Sequence, residues 1–145
     1  MRLWHYELLS YLPDAQFKGQ LRELVAIMHD WRDKGKTNHL LINRVMKYPK
    51  NDLVRYFVIY EAEYHKRYGV WLKQAQEFIK FDDTPLDDRS NDLFDGWHNK
   101  EYLRVCLGNL YEKHKFGIGK SRITDEEWAR LCEGYEQITG EKYEI

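Results

Sequence analysis

The chain has 145 residues, of which 43% are hydrophobic and 32% charged, with a formal net charge of −1. This length and balance predict one globular domain over residues 1–145. They argue against a uniformly basic nucleic-acid binder, and no apolar run approaches the roughly 18 residues of a membrane-spanning segment. No signal segment is visible, and two isolated cysteines, Cys106 and Cys132, indicate a reduced, cytoplasmic protein.

The charge is unevenly distributed along the chain. Residues 1–80 carry 14 Lys/Arg against 9 Asp/Glu, whereas residues 81–145 carry 9 against 15. This asymmetry is compatible with a basic face and an acidic face, and equally with two halves of one domain that pair with each other.

The first predicted helix runs from about Asp14 to Lys34, with Asp14 as its N-cap and Gly35 just beyond its end. Only a short, ordered-looking segment, residues 1–5, precedes this helix and its flanking Pro13 region. The helix is predicted from apolar residues spaced by three and four, which are Phe17, Leu21, Leu24, Val25, Met28 and Trp31.

A long central helix is predicted next. A connection with a short apolar piece, Leu40-Leu41-Ile42, leads to Tyr48-Pro49, where proline disfavours helix at the preceding residue. The central helix then begins at Asn51 or Asp52 and extends to about Phe81, with a bend at Gly69. Four tyrosines recur along it at every fourth position and indicate either an aromatic core seam or a base-stacking surface: Tyr56, Tyr60, Tyr64 and Tyr68.

The remainder is predicted as a loop and two more helices. Residues 82–98 are rich in aspartate and predict a polar loop. A helix follows from about Asn99 to Lys115 and is broken by Gly117-Ile118-Gly119. Thr124 and Glu127 have the spacing of a capping box for a last helix, which ends near Gly140. No strand alternation is present, so the fold class is predicted to be all-α, with an aromatic-rich core.

Glu23 is the first candidate for chemistry. Helical geometry places it away from the apolar stripe, beside Gly19 and Ala26 and close to Ala15, a strip that another backbone can approach closely. One interpretation is an ordinary solvated glutamate. The other is that residues 1–5 cross this strip and bring a terminal α-amine, a nucleophile near neutral pH, beside a carboxylate.

Several basic residues could surround that site. Arg2, Lys18, Arg22 and Arg44, together with His5, could form a phosphate-binding patch, or could be ordinary surface charges. His5 fits either a proton shuttle beside Glu23 or a helix cap. No metal site is expected, because the other five histidines lack paired ligand spacing: His29, His39, His65, His98 and His114.

The start of the chain resembles the pyrimidine-dimer DNA glycosylase family, to which phage endonuclease V belongs. Leu8, Ser10, Leu12 and Asp14, followed by Arg22-Glu23-Leu24, stand without gaps at the family's spacing from the start. Weaker likenesses are Tyr60-Glu61-Ala62-Glu63-Tyr64-His65-Lys66-Arg67 and His98 before a helix that ends in Glu112-Lys113. The opening Met-Arg-Leu-Trp-His is similar to a bacterial branch of the family.

This resemblance implies a small helical fold and a DNA-repair glycosylase and AP lyase that needs no cofactor. It implies that the terminal amine attacks C1′ of a damaged nucleotide and forms an imine, that Glu23 assists, and that Arg22 contacts phosphate. The expected partner is damaged double-stranded DNA, with no membrane and no metal. Extrusion of a base from the stack accompanies such chemistry.

Three features depart from the phage pattern. Residue 2 is Arg, whose bulk disfavours removal of Met1, so the amine would belong to Met1 rather than Arg2. Ala26 replaces an arginine, and the chain ends in an acidic segment instead of a basic aromatic one. Two alternatives therefore stay open: a catalytically impaired nucleic-acid-binding or other binding module that keeps the fold, and an amine-dependent enzyme acting on another aldehyde or nucleotide sugar.

Overall fold

The computed structural model describes residues 2–35, 39–86 and 93–145. Within these ranges the chain forms α-helices and two short 3-10 helices and no strand, which confirms the all-α prediction. The 3-10 helices are Tyr6–Tyr11 and Gly119–Ser121. The α-helices are α1 (Asp14–Lys34), α2 (Leu40–Val45), α3 (Lys50–Tyr68), α4 (Ala75–Phe81), α5 (Lys100–Phe116) and α6 (Asp125–Thr139).

Helix α1 has the predicted bounds. Its end is set by Gly35, which takes a left-handed conformation with φ +67° and donates its N–H to the carbonyl of Asp30. Only the predicted N-cap is wrong, because Pro13 occupies that position and Asp14 is the first helical residue. The carboxylate of Asp14 instead accepts a hydrogen bond from Tyr68 at 2.7 Å, and so ties the start of α1 to the end of α3.

The prediction of one helix from Asn51 or Asp52 to Phe81 is wrong. Helix α3 ends at Tyr68 because Gly69 adopts φ +70°, which a residue with a side chain resists. The chain then turns back, with Leu72 N–H bound to a carboxylate oxygen of Glu61 at 2.9 Å, before α4 begins. The start also differs, since Pro49 holds the N-cap position and α2 fills part of the preceding connection.

Residues 93–98 correct the prediction of a wholly polar loop. Leu93, Phe94 and Trp97 are almost fully buried. The backbone N–H of Phe94 donates to Asp52 at 3.1 Å, so this carboxylate anchors the segment to α3. Because aspartate is the commonest residue in this stretch, its composition did not reveal the buried apolar side chains. Residues 87–92 lie outside the described ranges.

Helices α5 and α6 match their predictions closely. Asn99 caps α5, and the capping box of Thr124 and Glu127 is present with both of its hydrogen bonds. Gly140 ends α6 in a left-handed conformation.

All six α-helices contribute to one hydrophobic core. Tyr56 and Tyr60 are fully buried in it, which confirms the core-seam interpretation for these two tyrosines. Among the described residues, no helix is both long and apolar enough to cross a membrane.

Candidate active site

The site is organised by an N-terminal segment, residues 2–5, that lies across α1. Gln20 projects from α1 and is only 1% exposed. Its side-chain amide donates to the carbonyl of Arg2 at 2.8 Å, and its amide oxygen accepts the N–H of Trp4, also at 2.8 Å. A single glutamine therefore satisfies the backbone of the segment in the way that a neighbouring strand would.

Two tyrosines hold the next carbonyls of the segment. The hydroxyl of Tyr102 on α5 donates to Leu3 O at 2.6 Å, and that of Tyr56 on α3 donates to Trp4 O at 2.7 Å. Leu3 is fully buried and Trp4 is 5% exposed, so apolar burial adds to these bonds. Burial strongly raises the pKa of both tyrosine hydroxyls, which therefore remain protonated donors at neutral pH.

These hydrogen bonds hold the N-terminal segment where Arg2 contacts Glu23. The backbone nitrogen of Arg2 donates to a carboxylate oxygen of Glu23 at 2.9 Å. In the intact chain this nitrogen is a backbone amide, so the contact is an N–H donated to the Glu23 carboxylate. Met1, named as a candidate catalytic residue from the sequence, lies outside the described residues.

A cleft of about 320 Å³ opens beside this contact. Its wall from α1 includes Gly19, and nothing lies within 4 Å of where a Cβ would stand there, so the glycine keeps this wall open. Lys113, near the end of α5, also lines the cleft. The residues that line the cleft are Arg2, Trp4, Ala15, Gln16, Gly19, Gln20, Glu23, Lys113 and Ser121.

Gln16 links the cleft to the C-terminal part of the chain. Its side-chain nitrogen donates to the carbonyl of Ser121 at 2.9 Å. Its amide oxygen is buried and has no hydrogen-bond partner. A buried acceptor without a partner is costly in a folded protein, so a ligand with a donor group gains by pairing with it.

The structure does not bring every candidate residue into the cleft. Arg22 is exposed and adjoins Glu23 in the chain, on the outside of α1. Lys18 is exposed and lies over the ring of Tyr68, 4.9 Å from its centroid. Neither side chain lines the cleft.

His5 and Arg44 also lie away from Glu23. His5 is 2% exposed, accepts the N–H of Glu7 and stacks on His98, so it caps the first 3-10 helix. Burial lowers the pKa of His5 to about 4, so its ring is neutral near pH 7 and is not a cationic phosphate ligand. Arg44 on α2 lies over the ring of Trp97, 4.6 Å from its centroid, and lines a separate groove.

Four residues that line the cleft were not predicted from the sequence. Gln16 and Gln20 carried a signal, because two amides stand on the apolar face of α1 beside Phe17 and Leu24. Lys113 and Ser121 carried none, since they reach the cleft from about a hundred residues further along the chain.

A family model described as pyrimidine dimer DNA glycosylase matches residues 1–73, half of the chain. The chain belongs to the pyrimidine dimer DNA glycosylase family. The match contains the N-terminal segment, α1 and Glu23, but not the part of the cleft formed by Lys113 and Ser121. No curated protein and no solved structure matches the chain.

A search of the part of the chain that the structure describes finds no cluster of three or more histidine, cysteine, aspartate or glutamate side chains suited to a metal ion.

Proposed function

We propose that this member of the pyrimidine dimer DNA glycosylase family is a DNA glycosylase and AP lyase that acts on pyrimidine dimers or related lesions. The observation that carries the proposal is the 2.9 Å contact between the nitrogen of Arg2 and the carboxylate of Glu23. The open cleft beside this contact gives a sugar access to both groups.

The first step forms an imine. The lone pair of a terminal amine bonds to C1′ of the lesion nucleotide, and the glycosidic bond breaks with its electron pair leaving on the base, which takes up a proton. The amine nitrogen loses its protons as the C1′–O4′ bond opens and O4′ is protonated, which leaves a C1′=N imine. Glu23 accepts a proton from the nitrogen and stabilises the positive charge that develops on the sugar.

The second step cleaves the strand. The imine acidifies the C2′–H bond, and Glu23 takes this proton. The C–H electron pair forms a C2′=C3′ double bond while the C3′–O bond breaks and the phosphate leaves with its electron pair. Water then hydrolyses the imine and frees the amine. Arg2 and Lys113 line the cleft, and Arg22 adjoins Glu23 in the chain; in this proposal these three residues neutralise phosphate charge.

The reacting amine is assigned to the nitrogen of residue 2. In an intact chain this nitrogen belongs to the amide between Met1 and Arg2 and is not nucleophilic. Removal of Met1 by a protease that accepts arginine at the next position would leave a primary amine at the position now 2.9 Å from Glu23. An amine on Met1 would instead be displaced from the position of the Arg2 nitrogen by about one Cα step, about 3.8 Å.

A binding module without catalysis is the second candidate. The same contact favours it if Met1 is retained, because an amide N–H bound to Glu23 then completes a closed, unreactive arrangement. Intact-protein mass spectrometry separates the two: loss of the mass of one methionine supports the enzyme, and a chain that keeps Met1 and shows no turnover supports the module.

Borohydride trapping tests the enzyme directly. Wild-type protein incubated with abasic or dimer-containing DNA and sodium borohydride is expected to form a covalent adduct, and Glu23→Gln is expected to slow its formation at least about 100-fold. Absence of any adduct, or equal trapping by Glu23→Gln, refutes the proposal.

A further inference from the structure

The last residue of α5 and the segment that follows this helix expose two large apolar side chains to solvent. Phe116 is 77% exposed and Ile118 is 86% exposed. Residues 115–122, here named the arch, comprise the last two residues of α5 and the connection that leads to the buried Ile123. A single exposed apolar side chain is ordinary on a protein surface, whereas two large ones only two residues apart form a small apolar surface feature.

The arch is held in a fixed shape by its backbone. Gly117 donates to the carbonyl of Lys113 at 3.1 Å, and a Cβ at this glycine would lie only 2.2 Å from that oxygen. Gly119 adopts φ +73°, and Arg122 donates back to its carbonyl at 3.3 Å. Two glycine-dependent contacts and an anchor in the core make the exposure of Phe116 and Ile118 a consequence of the fold rather than of fraying.

The arch adjoins the cleft. The carbonyl of Ser121, within the arch, accepts the hydrogen bond from Gln16. A second groove, of about 270 Å³, continues from Arg2 along Lys113 to Phe116 and Gly117. The cleft and this groove share Arg2, Lys113 and Ser121, so the surface beside Glu23 adjoins the surface at Phe116.

The charge around the arch favours a polyanion. Residues 113–122 contain four Lys/Arg and no Asp/Glu, although residues 81–145 as a whole are acidic. Lys115, Lys120 and Arg122 are all exposed. Two carboxylates lie close to these cations: Glu112 lines the groove that contains Phe116, and Asp125 lies 3.6 Å from His114.

We propose that the arch is a DNA wedge, in which Phe116, supported by Ile118, inserts between base steps beside the lesion while Lys115 and Lys120 hold the flanking phosphates. This inference rests on the proposed function and deepens it. Attack at C1′ needs a nucleotide displaced from the stack, and an apolar wedge beside basic residues is the means by which many proteins unstack and kink a duplex.

The wedge is tested by base unstacking, which requires no chemistry. A duplex with 2-aminopurine next to an uncleavable abasic analogue is titrated with full-length protein, and fluorescence reports unstacking. We expect wild type to raise the fluorescence, Phe116→Ala to abolish the rise and weaken duplex binding about 5- to 100-fold, and Phe116→Leu to restore most of both. Ile79→Ala is the matched control, because Ile79 is also exposed, at 54%, and lies on α4.

A chemical arm separates this proposal from the activity itself. Phe116→Ala is expected to lose more borohydride trapping on duplex abasic DNA than on single-stranded abasic DNA, because a single strand needs no wedge. If wild type traps no DNA, the proposed function fails, and the fluorescence rise with its dependence on Phe116 still decides the wedge. Unchanged unstacking by Phe116→Ala, or an equal loss in Ile79→Ala, overturns it. Binding of wild type to anionic phosphatidylglycerol vesicles with no fluorescence change on DNA also overturns it.

Discussion

Replacement of Gln20 by leucine separates positioning of the N-terminal segment from stability of the fold. The substitution removes two hydrogen bonds of 2.8 Å, to Arg2 O and Trp4 N, and a longer one of 3.3 Å that the Tyr56 hydroxyl donates to the Gln20 amide oxygen. The Trp4 N–H is buried and loses its partner, which costs about 1–3 kcal/mol, whereas Arg2 O is only partly buried and can turn to water. The bonds to Leu3 O and Trp4 O remain, so we expect the protein to fold.

The catalytic effect of Gln20→Leu is expected to exceed its effect on stability. The hydrogen bonds of Gln20 to Arg2 O and Trp4 N are here called the Gln20 clamp. Without the clamp, the nitrogen of Arg2 can move relative to Glu23, and a displacement of about 1 Å costs on the order of 100-fold in rate. The assay is the single-turnover rate of borohydride trapping on single-stranded abasic DNA, measured beside urea unfolding. Leu72→Ala, at the turn between α3 and α4, serves as the control because it removes about 2–5 kcal/mol without touching the segment.

The result that refutes this reasoning is specific. If Gln20→Leu lowers the free energy of unfolding but traps DNA as fast as Leu72→Ala under conditions where both are folded, the clamp does not position the nitrogen.

Three further predictions concern Gly117 in the arch, the buried His5 and the exposed Arg22. Gly117→Ala is expected to destabilise the fold by about 1–3 kcal/mol because its Cβ meets Lys113 O at 2.2 Å, whereas Gly108→Ala, in open space within a helix, is expected to stabilise by about 1 kcal/mol in urea unfolding. His5 has a pKa lowered from 6.5 to about 4 in the fold. The unfolded chain binds more protons between those values, so stability falls as pH falls, by about 2 kcal/mol from pH 7 to pH 5. Arg22→Ala is expected to weaken DNA binding without changing lesion preference and to reduce the salt slope by about 1.

Each of these has a result that contradicts it. Equal stability of the two glycine variants would show that the arch can relax. His5→Asn keeps a cap acceptor but cannot titrate, so an unchanged pH profile in this variant would assign the acid sensitivity elsewhere, for instance to buried His98. An unaltered salt slope in Arg22→Ala would remove this side chain from the phosphate contacts.

The parts of the fold that follow local rules were predictable from the sequence. Helical spacing and Gly35 gave the bounds of α1, and the Thr124–Glu127 box gave the start of α6. The break after α3 was underestimated, because Gly69 was taken as a bend while the left-handed conformation it adopts ends the helix.

The candidate site was only partly accessible from the sequence. Glu23 and the N-terminal segment could be paired because their separation in the chain is short and the family pattern spans it. The contact of Gln16 with Ser121 joins residues 105 apart, and no local pattern reports such a contact. Phe116 and Ile118 were not predicted as candidate site residues for the same reason. In the sequence, Gly117-Ile118-Gly119 indicates only a helix break, and the position of this segment beside the cleft depends on the fold.

The central claim is that the nitrogen of residue 2 is the nucleophile beside Glu23. The most direct measurement is to digest the borohydride-reduced adduct and locate the sugar remnant by tandem mass spectrometry. We predict an adduct on the α-nitrogen of Arg2 in a chain that has lost Met1. An adduct on the side chain of Lys113, or the absence of any adduct from a chain whose N-terminus is confirmed as Arg2, would contradict it.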